Sequence, residues 1–312
     1  MKENILLVEP MMNAIEERLD AAYTVHRLYD PSEAGTIEAA LPAIRVVVTG
    51  GGSGLSNDWI ERLPSLGIIA INGVGTDKVD LPFARSRGIH VTTTPGVLTD
   101  DVADMGMALM LAVMRRIPQG DRMVREGRWA QGEPFPLGMS PRGKRIGILG
   151  LGQIGRALAK RAEAFGMAVR YWNRSPVADA GWMRHETPVD LARDSDVLAV
   201  CIAASPATER IVDAGVLSAL GPDGILINVA RGSVVDEDAL LAFLNADGIA
   251  GAGLDVFAGE PKIREAFFTA RNTVLMPHQG SATVETRIAM GELVLANVAA
   301  YFEDRTPPTV VN

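Results

Sequence analysis

Three ionisable residues in the second half of the chain could move a proton beside a bound anion. Arg231 follows the run Ile-Leu-Ile-Asn-Val-Ala, Glu260 follows Gly-Leu-Asp-Val-Phe-Ala-Gly, and His278 follows Val-Leu-Met-Pro. A histidine changes charge near neutral pH, and a guanidinium binds carboxylates through paired donors. Because parallel sheets bind ligands beyond the carboxyl ends of their strands, we expect the three side chains to share one catalytic site.

A glycine-rich turn upstream of these residues has the pattern that binds a diphosphate. The apolar residues 146–149 lead into Gly150, Gly152 and Gly155, spaced as G-x-G-x-x-G, and a stretch of helical spacing follows. The first glycine permits a tight turn, the second lets the backbone approach a pyrophosphate, and the third lets the helix pack closely on the strand. Because the motif lies between a strand and a helix, it predicts a dinucleotide site. The predicted contacts in this turn are Gly150, Gly152, Gln153, Ile154 and Gly155.

The residues after the next apolar run indicate which dinucleotide is bound. An NAD-specific site has Asp or Glu at this place, which accepts from the ribose 2′-OH and repels a 2′-phosphate. The sequence instead has Asn173, Arg174 and Ser175, an amide, a guanidinium and a hydroxyl. These groups donate hydrogen bonds to phosphate oxygens. We therefore predict NADP(H) as the cofactor, with NAD(H) as the less preferred one.

Strands and helices must position these residues, and the chain has the pattern of parallel sheets. Short runs rich in Val and Ile alternate with stretches of helical spacing, about four runs before residue 95 and six after residue 145. Near-continuous apolar strands joined by helices are typical of parallel sheets covered on both faces. A length of 312 residues fits two domains. The sequence therefore predicts an α/β protein with two separate sheets.

The connections between the two halves predict the domain boundaries. Residues 102–116 have the spacing of a long helix that joins the halves, and residues 283–301 have that of a last helix. We expect the last helix to return to the first sheet, so that residues 1–98 and 283–312 form one discontinuous domain and residues 99–282 form the other. Residues 117–143, which follow the long helix, have little periodicity and are interpreted as a surface loop or as an arm that contacts another subunit.

Composition excludes several classes of partner. The chain has 30 Lys and Arg against 38 Asp and Glu, a formal charge of −8, so no basic surface for nucleic acid is expected. No apolar segment approaches the ~20 residues that span a bilayer, and we expect no membrane partner. Cys201 is the one cysteine, which fits a reducing compartment and, with four histidines, leaves no Cys/His zinc cluster. We expect a soluble, cytoplasmic protein without a metal.

Several stretches resemble the signatures of D-2-hydroxyacid dehydrogenases, and the resemblance covers nearly the whole chain. They are the glycine motif, Asn-Val-Ala-Arg-Gly-Ser-Val-Val-Asp236, Gly-Leu-Asp-Val-Phe-Ala-Gly-Glu-Pro261 and Pro-His-Gln-Gly-Ser-Ala-Thr283. Residues 94–104 and 284–287 resemble the NADPH-dependent glyoxylate/hydroxypyruvate reductases and their hydroxyphenylpyruvate-reducing relatives. The resemblance implies two doubly wound parallel-sheet domains, a Rossmann-type cofactor domain and a flavodoxin-like substrate domain, with a cleft between them. It also implies a homodimer formed through the cofactor domain and residues 117–143.

The resemblance assigns a role to each of the three ionisable residues. It implies that protonated His278 donates a proton to the carbonyl oxygen of a small 2-oxo acid as a hydride arrives at the carbonyl carbon. Glu260 holds the imidazole by a hydrogen bond and favours its charged form. Arg231 binds the carboxylate or the carbonyl oxygen of the substrate. The expected product is the D-2-hydroxy acid.

Five further contacts are implied by the resemblance alone. The backbone amides of Val74 and Gly75 bind the substrate carboxylate, and Leu55 forms an apolar wall of the same pocket. Asp255 contacts the nicotinamide carboxamide, and Val102 lies near the nicotinamide ring.

Three other functions remain open from the sequence. One is the oxidation of another 2-hydroxy acid, as in 3-phosphoglycerate dehydrogenase, and a less favoured one is a formate-type dehydrogenase. A protein on the same scaffold that senses dinucleotides and binds a partner is the third. Among reductase substrates, glyoxylate, hydroxypyruvate, hydroxyphenylpyruvate and acids of the 2-ketogluconate type are all compatible with the sequence.

Overall fold

The computed structural model describes residues 2–312 and divides the chain into two compact units. One unit is Met1–Leu98 with Ser281–Asn312, and the other is Thr99–Gly280. The chain returns to the first unit at Ser281, two residues before the predicted residue 283.

The first unit is built on a sheet of five parallel strands. Its strands are β1 (Asn4–Leu7), β2 (Thr24–Arg27), β3 (Ile44–Gly50), β4 (Ile68–Asn72) and β5 (His90–Thr92), in the order β2-β1-β3-β4-β5. The order reverses between β1 and β3, as in doubly wound sheets of the flavodoxin type. Strand β2 is missing from the sequence prediction of about four strands, because this edge strand is only partly buried and has no apolar run.

Five α-helices cover this sheet, and their apolar faces form its core. They are α1 (Asn13–Ala22), α2 (Ala34–Ala40), α3 (Asn57–Arg62), α4 (Leu81–Ser86) and α11 (Val284–Phe302). Helix α11 begins after Thr283, whose side chain caps it by accepting from the backbone N–H of Thr286. Its residues Val294 and Val298 are fully buried in the cluster that contains Ile68 and Ala70 of β4. The last helix therefore completes the first unit.

The second unit is built on a sheet of seven parallel strands. Its strands are β6 (Arg145–Leu149), β7 (Ala168–Trp172), β8 (Met183–Arg184), β9 (Val197–Val200), β10 (Ile225–Asn228), β11 (Gly251–Leu254) and β12 (Thr273–Leu275). Their order is β12-β11-β10-β9-β6-β7-β8, with the reversal between β6 and β9. This order is that of dinucleotide-binding sheets. The predicted six strands lack β8, a two-residue edge strand.

Six α-helices belong to the second unit, and one of them lies at the start of residues 117–143. They are α5 (Thr99–Met114), α6 (Ile117–Arg125), α7 (Gln153–Ala164), α8 (Pro188–Arg193), α9 (Ala214–Leu220) and α10 (Glu237–Asn245). Helix α5 stops before Arg116, which has φ of 52°, and α6 then starts with Pro118 in its first turn. The start of residues 117–143 is therefore a helix and not a surface loop, the first of the two interpretations made from the sequence. Within residues 2–312, no helix is long and apolar enough to cross a membrane.

Candidate active site

The three ionisable residues predicted as a site follow three adjacent strands. Arg231 comes after β10, Glu260 after β11, and His278 after β12. These strands are neighbours in the order β12-β11-β10 and all run parallel. Their carboxyl ends therefore meet at one edge of the sheet, which is where open α/β sheets bind ligands.

A short hydrogen bond joins the histidine to the carboxylate. The distance from His278 Nδ1 to Glu260 Oε2 is 2.6 Å, and Oε1 of the same carboxylate accepts the backbone N–H of Phe257 at 2.6 Å. Burial raises the pKa of Glu260, but the hydrogen bonds from His278 and Phe257 and the nearby positive charges outweigh it and hold this pKa below its ordinary value. With Nδ1 occupied, the Nε2 atom of His278 is the ring nitrogen left to face a substrate.

The backbone around His278 is fixed by a buried aspartate. Asp255 is 1% exposed, and its carboxylate accepts the backbone N–H groups of Gln279 at 2.7 Å and Gly280 at 2.8 Å. Its backbone carbonyl accepts the N–H of His278, which has φ of 54° in the left-handed region. Burial raises the pKa of Asp255, and the two backbone donors partly oppose this. Asp255 therefore supports the turn that carries the histidine, a role the sequence analysis missed.

A second buried carboxylate supports the turn that carries Glu260. Glu237 Oε1 accepts the backbone N–H of Ala258 at 2.7 Å, while its Oε2 is buried without a partner in residues 2–312. Burial raises the pKa of Glu237. This residue could not be recognised from the sequence, because an acidic residue in the first turn of a helix is explained by the helix dipole alone.

Arg231 is positioned by its own loop and by the turn after β11. Its backbone carbonyl accepts from Asn228 Nδ2 at 2.9 Å, and its Nη1 donates to the carbonyl of Ala230 at 2.9 Å. A β-carbon on Gly232 would overlap the backbone of Phe257, so the two loops can approach only with glycine there. The guanidinium is close enough to Glu260 to contribute to lowering the pKa of that carboxyl.

The glycine turn has the backbone geometry required to bind a diphosphate. Gly150 has φ of 100°, and a β-carbon there would lie 2.6 Å from the backbone of Ile202. A β-carbon on Gly155 would overlap the carbonyl oxygen of Gly150, so α7 packs tightly against β6. Above Gly152, by contrast, a β-carbon meets nothing within 4 Å. The N-terminus of α7 is therefore open to an anion at the point where the backbone must approach it.

The other predicted cofactor residues lie around this edge of the second unit. Asn173 Oδ1 accepts the backbone N–H of Leu151 at 3.0 Å and so braces the glycine turn. Arg174 and Ser175 are exposed just beyond β7. Val102 lies beside Gly280, where a β-carbon would be 3.5 Å from its Cγ2. In the turn itself, Gln153 is exposed and Ile154 is half-buried.

The predicted substrate residues of the first unit follow β3 and β4. Leu55 is buried, in the same core cluster as Val79. Val74 is exposed and Gly75 is half-buried in the loop after β4. Within residues 2–312, no acceptor takes the backbone N–H of Val74 or of Gly75. Two adjacent unpaired amides can bind a carboxylate.

Comparison with known proteins identifies the family. The NAD-binding domain model of the D-isomer specific 2-hydroxyacid dehydrogenases matches residues 107–280, which include the glycine turn and the Arg, Glu and His residues. The chain belongs to this family. The resemblance seen in the sequence is thereby confirmed.

Relatives of this 2-hydroxyacid dehydrogenase are reductases. A 2-ketogluconate reductase of Gluconobacter oxydans (strain 621H) is 47% identical over 310 residues, which are 99% of each chain. A glyoxylate/hydroxypyruvate reductase A of Arabidopsis thaliana is 43% identical over 98% of each chain. The solved structure of an NADPH-dependent glyoxylate/hydroxypyruvate reductase from Sinorhizobium meliloti, in complex with NADP and malonate, has a TM-score of 0.94 at 41% identity and covers 100% of this chain and 97% of that one. The α/β fold with two parallel sheets and the oxidoreductase class are confirmed.

Proposed function

We propose that this dehydrogenase is an NADPH-dependent reductase that converts a small 2-oxo acid into the D-2-hydroxy acid. The observation that carries the proposal is the 2.6 Å hydrogen bond between His278 and Glu260, at the strand ends of a sheet that also presents a diphosphate-binding turn. A positioned imidazole with a carboxylate behind it is the arrangement of a general acid. Such an acid is required where a carbonyl oxygen gains a proton.

The residues present fit a bound NADPH. The turn at Gly150, Gly152 and Gly155 would hold the diphosphate at the start of α7, and Arg174 with Ser175 would bind the 2′-phosphate. Asn173 contributes to the site by bracing the turn. When bound, the nicotinamide supplies the hydride that reduces the carbonyl carbon.

The residues of the chain supply the proton and stabilise charge. His278 donates the proton from Nε2 to the carbonyl oxygen, and the negative charge of Glu260 stabilises the imidazolium until it has done so. Arg231 binds the carboxylate or the carbonyl oxygen and stabilises negative charge as it develops. The paired amides of Val74 and Gly75 bind the substrate carboxylate. Hydride to carbon and proton to oxygen together complete the reduction.

The names of the relatives support the substrate class. Glyoxylate, hydroxypyruvate and 2-ketogluconate are all 2-oxo acids, and the reductases named for them align with nearly the whole chain. NADPH as the preferred donor is supported by Arg174 and by the NADPH-dependent enzyme from Sinorhizobium meliloti.

The test is the rate of NADPH oxidation by the wild type and by His278→Ala. We expect turnover of glyoxylate and hydroxypyruvate by the wild type and a loss of about 10²–10⁴-fold in kcat for the variant. Binding of NADP⁺, measured by calorimetry, should survive the substitution because His278 lies outside the glycine turn. A variant that keeps full activity would show that another group is the acid. A wild type without turnover would favour a dinucleotide-sensing protein.

We also propose that the enzyme is a homodimer formed through the second unit and residues 117–143. This segment exposes several large apolar side chains, and Leu137 is 94% exposed. Grouped exposed apolar residues are typical of protein interfaces. The others are Ile117, Val124, Trp129 and Phe135. Light scattering should give twice the mass of the chain, and Leu137→Asp should lower it, whereas a monomeric wild type would contradict the proposal.

A cytoplasmic location completes the proposal. It is supported by the low cysteine content, since Cys201 is the one cysteine in 312 residues. Burial raises the pKa of its thiol to about 12, so it is protonated and unreactive. Cell fractionation tests this location, and recovery with the membrane or an exported fraction would contradict it.

A further inference from the structure

A polar cavity in the first unit is not explained by the residues assigned above. Its volume is about 390 Å³, and its walls are Glu9, Pro10, Met11, Met12, Asn72 and Arg287. Glu9 follows β1, Asn72 ends β4, and Arg287 lies in the first turns of α11. The strand order of this sheet reverses at β1 and β3, which is the place where open α/β sheets bind ligands.

Two polar side chains of the cavity have no partner within the part of the chain that the structure describes. Arg287 is half-buried, and no acceptor lies within hydrogen-bond distance of its guanidinium. The side-chain oxygen of Asn72 is buried and also lacks a hydrogen bond. Exchanging the oxygen and nitrogen of this amide would leave a buried donor unpaired instead. Because buried polar groups in folded proteins are nearly always paired, the buried Asn72 oxygen points to a polar ligand, and the guanidinium of Arg287 lies in the wall of the same cavity.

The third polar group of the cavity is held in position. Glu9 accepts a hydrogen bond from the hydroxyl of Ser53. A β-carbon on Gly50 would overlap the Glu9 carboxylate, so the carboxylate can lie over β3 only because that strand ends in glycine. The glycine-rich residues 50–54 therefore position an acceptor at the cavity.

The combination of these groups selects a class of ligand. A guanidinium only donates hydrogen bonds and a carboxylate only accepts them, while a hydroxyl group can do both. Hydroxyl groups can therefore accept from Arg287 and donate to Glu9 and Asn72. A phosphate or a second carboxylate would be repelled by the negative charge of Glu9.

We propose that this cavity binds the hydroxylated tail of a sugar acid, a 2-oxo acid with several hydroxyl groups. This inference rests on the proposed reductase function and names the substrate class of its site. Asn72 and Val74 are two residues apart in the first unit, so their backbones lie within about 7 Å of each other, a distance that a six-carbon acid can span. The carboxylate lies on the amides of Val74 and Gly75, and the hydroxyl groups reach Asn72 and Arg287. These two side chains then determine specificity for the tail.

The test compares substrates of different length and polarity. Glyoxylate has no tail, 2-oxohexanoate has a six-carbon chain without hydroxyl groups on its tail, and 2-ketogluconate has the hydroxylated chain. We expect Arg287→Met to lower the ratio of kcat/KM for 2-ketogluconate to that for glyoxylate at least about tenfold, chiefly through KM, which corresponds to about 1.4 kcal/mol. The ratio for 2-oxohexanoate should change less than about twofold, since its chain forms no such hydrogen bonds.

Two further variants make the result decisive. Asn72→Leu should change the ratios in the same direction, and it replaces Arg287→Met in the substrate comparison if Arg287→Met does not fold. Arg85→Met is the matched control, because it removes an exposed arginine of the same unit. Wild-type ratios in folded Arg287→Met and Asn72→Leu would overturn the inference.

A binding measurement separates this inference from the proposed function. If the wild type reduces no 2-oxo acid, the proposed function fails, and calorimetric binding of gluconate with saturating NADP⁺ then tests the cavity alone. Gluconate binding that is weakened about tenfold or more by Arg287→Met supports the cavity. Absent binding, or equal binding by both proteins, overturns it.

Discussion

Polar groups lie at strand ends in both parallel sheets, but the groups beyond β11 and β12 of the second unit differ in their pairing from those beyond β1 and β4 of the first. In the second unit, His278 and Glu260 bond to each other, and Asp255 holds the histidine turn through two backbone amides. In the first unit, the side chains of Asn72 and Arg287 have no partners within residues 2–312. The adjacent amides of the loop after β4 are also unpaired.

This difference indicates a division of labour between the two regions. A proton donor must be held within a narrow range of positions before the substrate arrives, so its partners belong to the protein. Groups that recognise a substrate must exchange water for ligand, so their partners come with the ligand. Substitutions of paired groups should therefore change stability and rate together, whereas substitutions of unpaired groups should change ligand preference alone.

Among the residues that surround His278, the largest effect is expected for Glu260→Gln, which removes the carboxylate paired with the imidazole. The amide can still accept from Phe257 but cannot stabilise an imidazolium by charge, so kcat should fall about 10²-fold or more. Stability should change as well. Folding lowers the pKa of Glu260. The ionised carboxylate therefore stabilises the folded protein above the ordinary Glu pKa of about 4.3, and this stabilisation is lost as pH falls toward the lowered value.

Steady-state rates and denaturant unfolding check both parts of this expectation. The wild type should be more stable than Glu260→Gln at neutral pH, and the difference should shrink as pH falls below about 4.3. Glu265→Gln, in the exposed segment that follows, is the matched control. Full activity in the Glu260 variant would refute the idea that the pairing serves catalysis.

A smaller effect is expected for Arg174→Ala, which removes an exposed group of the second unit. Its loss should lower kcat/KM for NADPH about 10- to 100-fold, because hydrogen bonds to a charged phosphate are lost, while kcat/KM for NADH should change less than about twofold. The melting temperature should stay within about 1 °C, since surface substitutions rarely change stability. Arg193→Ala, an exposed arginine of α8, is the control. An equal loss with both cofactors would remove the argument that Arg174 binds the 2′-phosphate.

The sequence predicts the site formed by Arg231, Glu260 and His278 better than it predicts the contacts that support this site. Arg231, Glu260 and His278 each follow an apolar strand, and parallel strands must end at one edge, so local pattern and topology suffice to bring them together. The glycine spacing likewise predicts the turn before α7. The edge strands β2 and β8 were missed because a partly exposed strand needs no continuous apolar run.

The supporting contacts could not be predicted because they depend on distant parts of the chain. The hydrogen bond from the Ala258 amide to Glu237 and the cavity between Asn72 and Arg287 follow from packing, not from spacing. Helix α6 was missed for a local reason. Residues 117–143 show little helical periodicity, yet Pro118 is well tolerated in the first turn of this helix.

The smallest effect is expected for Glu237→Gln, which tests whether support from a neighbouring turn matters to the paired site. Glutamine keeps an oxygen that accepts from Ala258, so kcat should fall no more than about threefold, which corresponds to ~0.7 kcal/mol. Because folding raises the pKa of Glu237, the wild type binds a proton more tightly when folded and loses stability as pH rises from about 4.3 to the raised value. The variant lacks this loss. Unfolding measured across that range should therefore show the stability of Glu237→Gln rising relative to the wild type as pH increases. A variant that becomes relatively less stable with increasing pH would mean that the carboxylate stabilises the fold in its charged form.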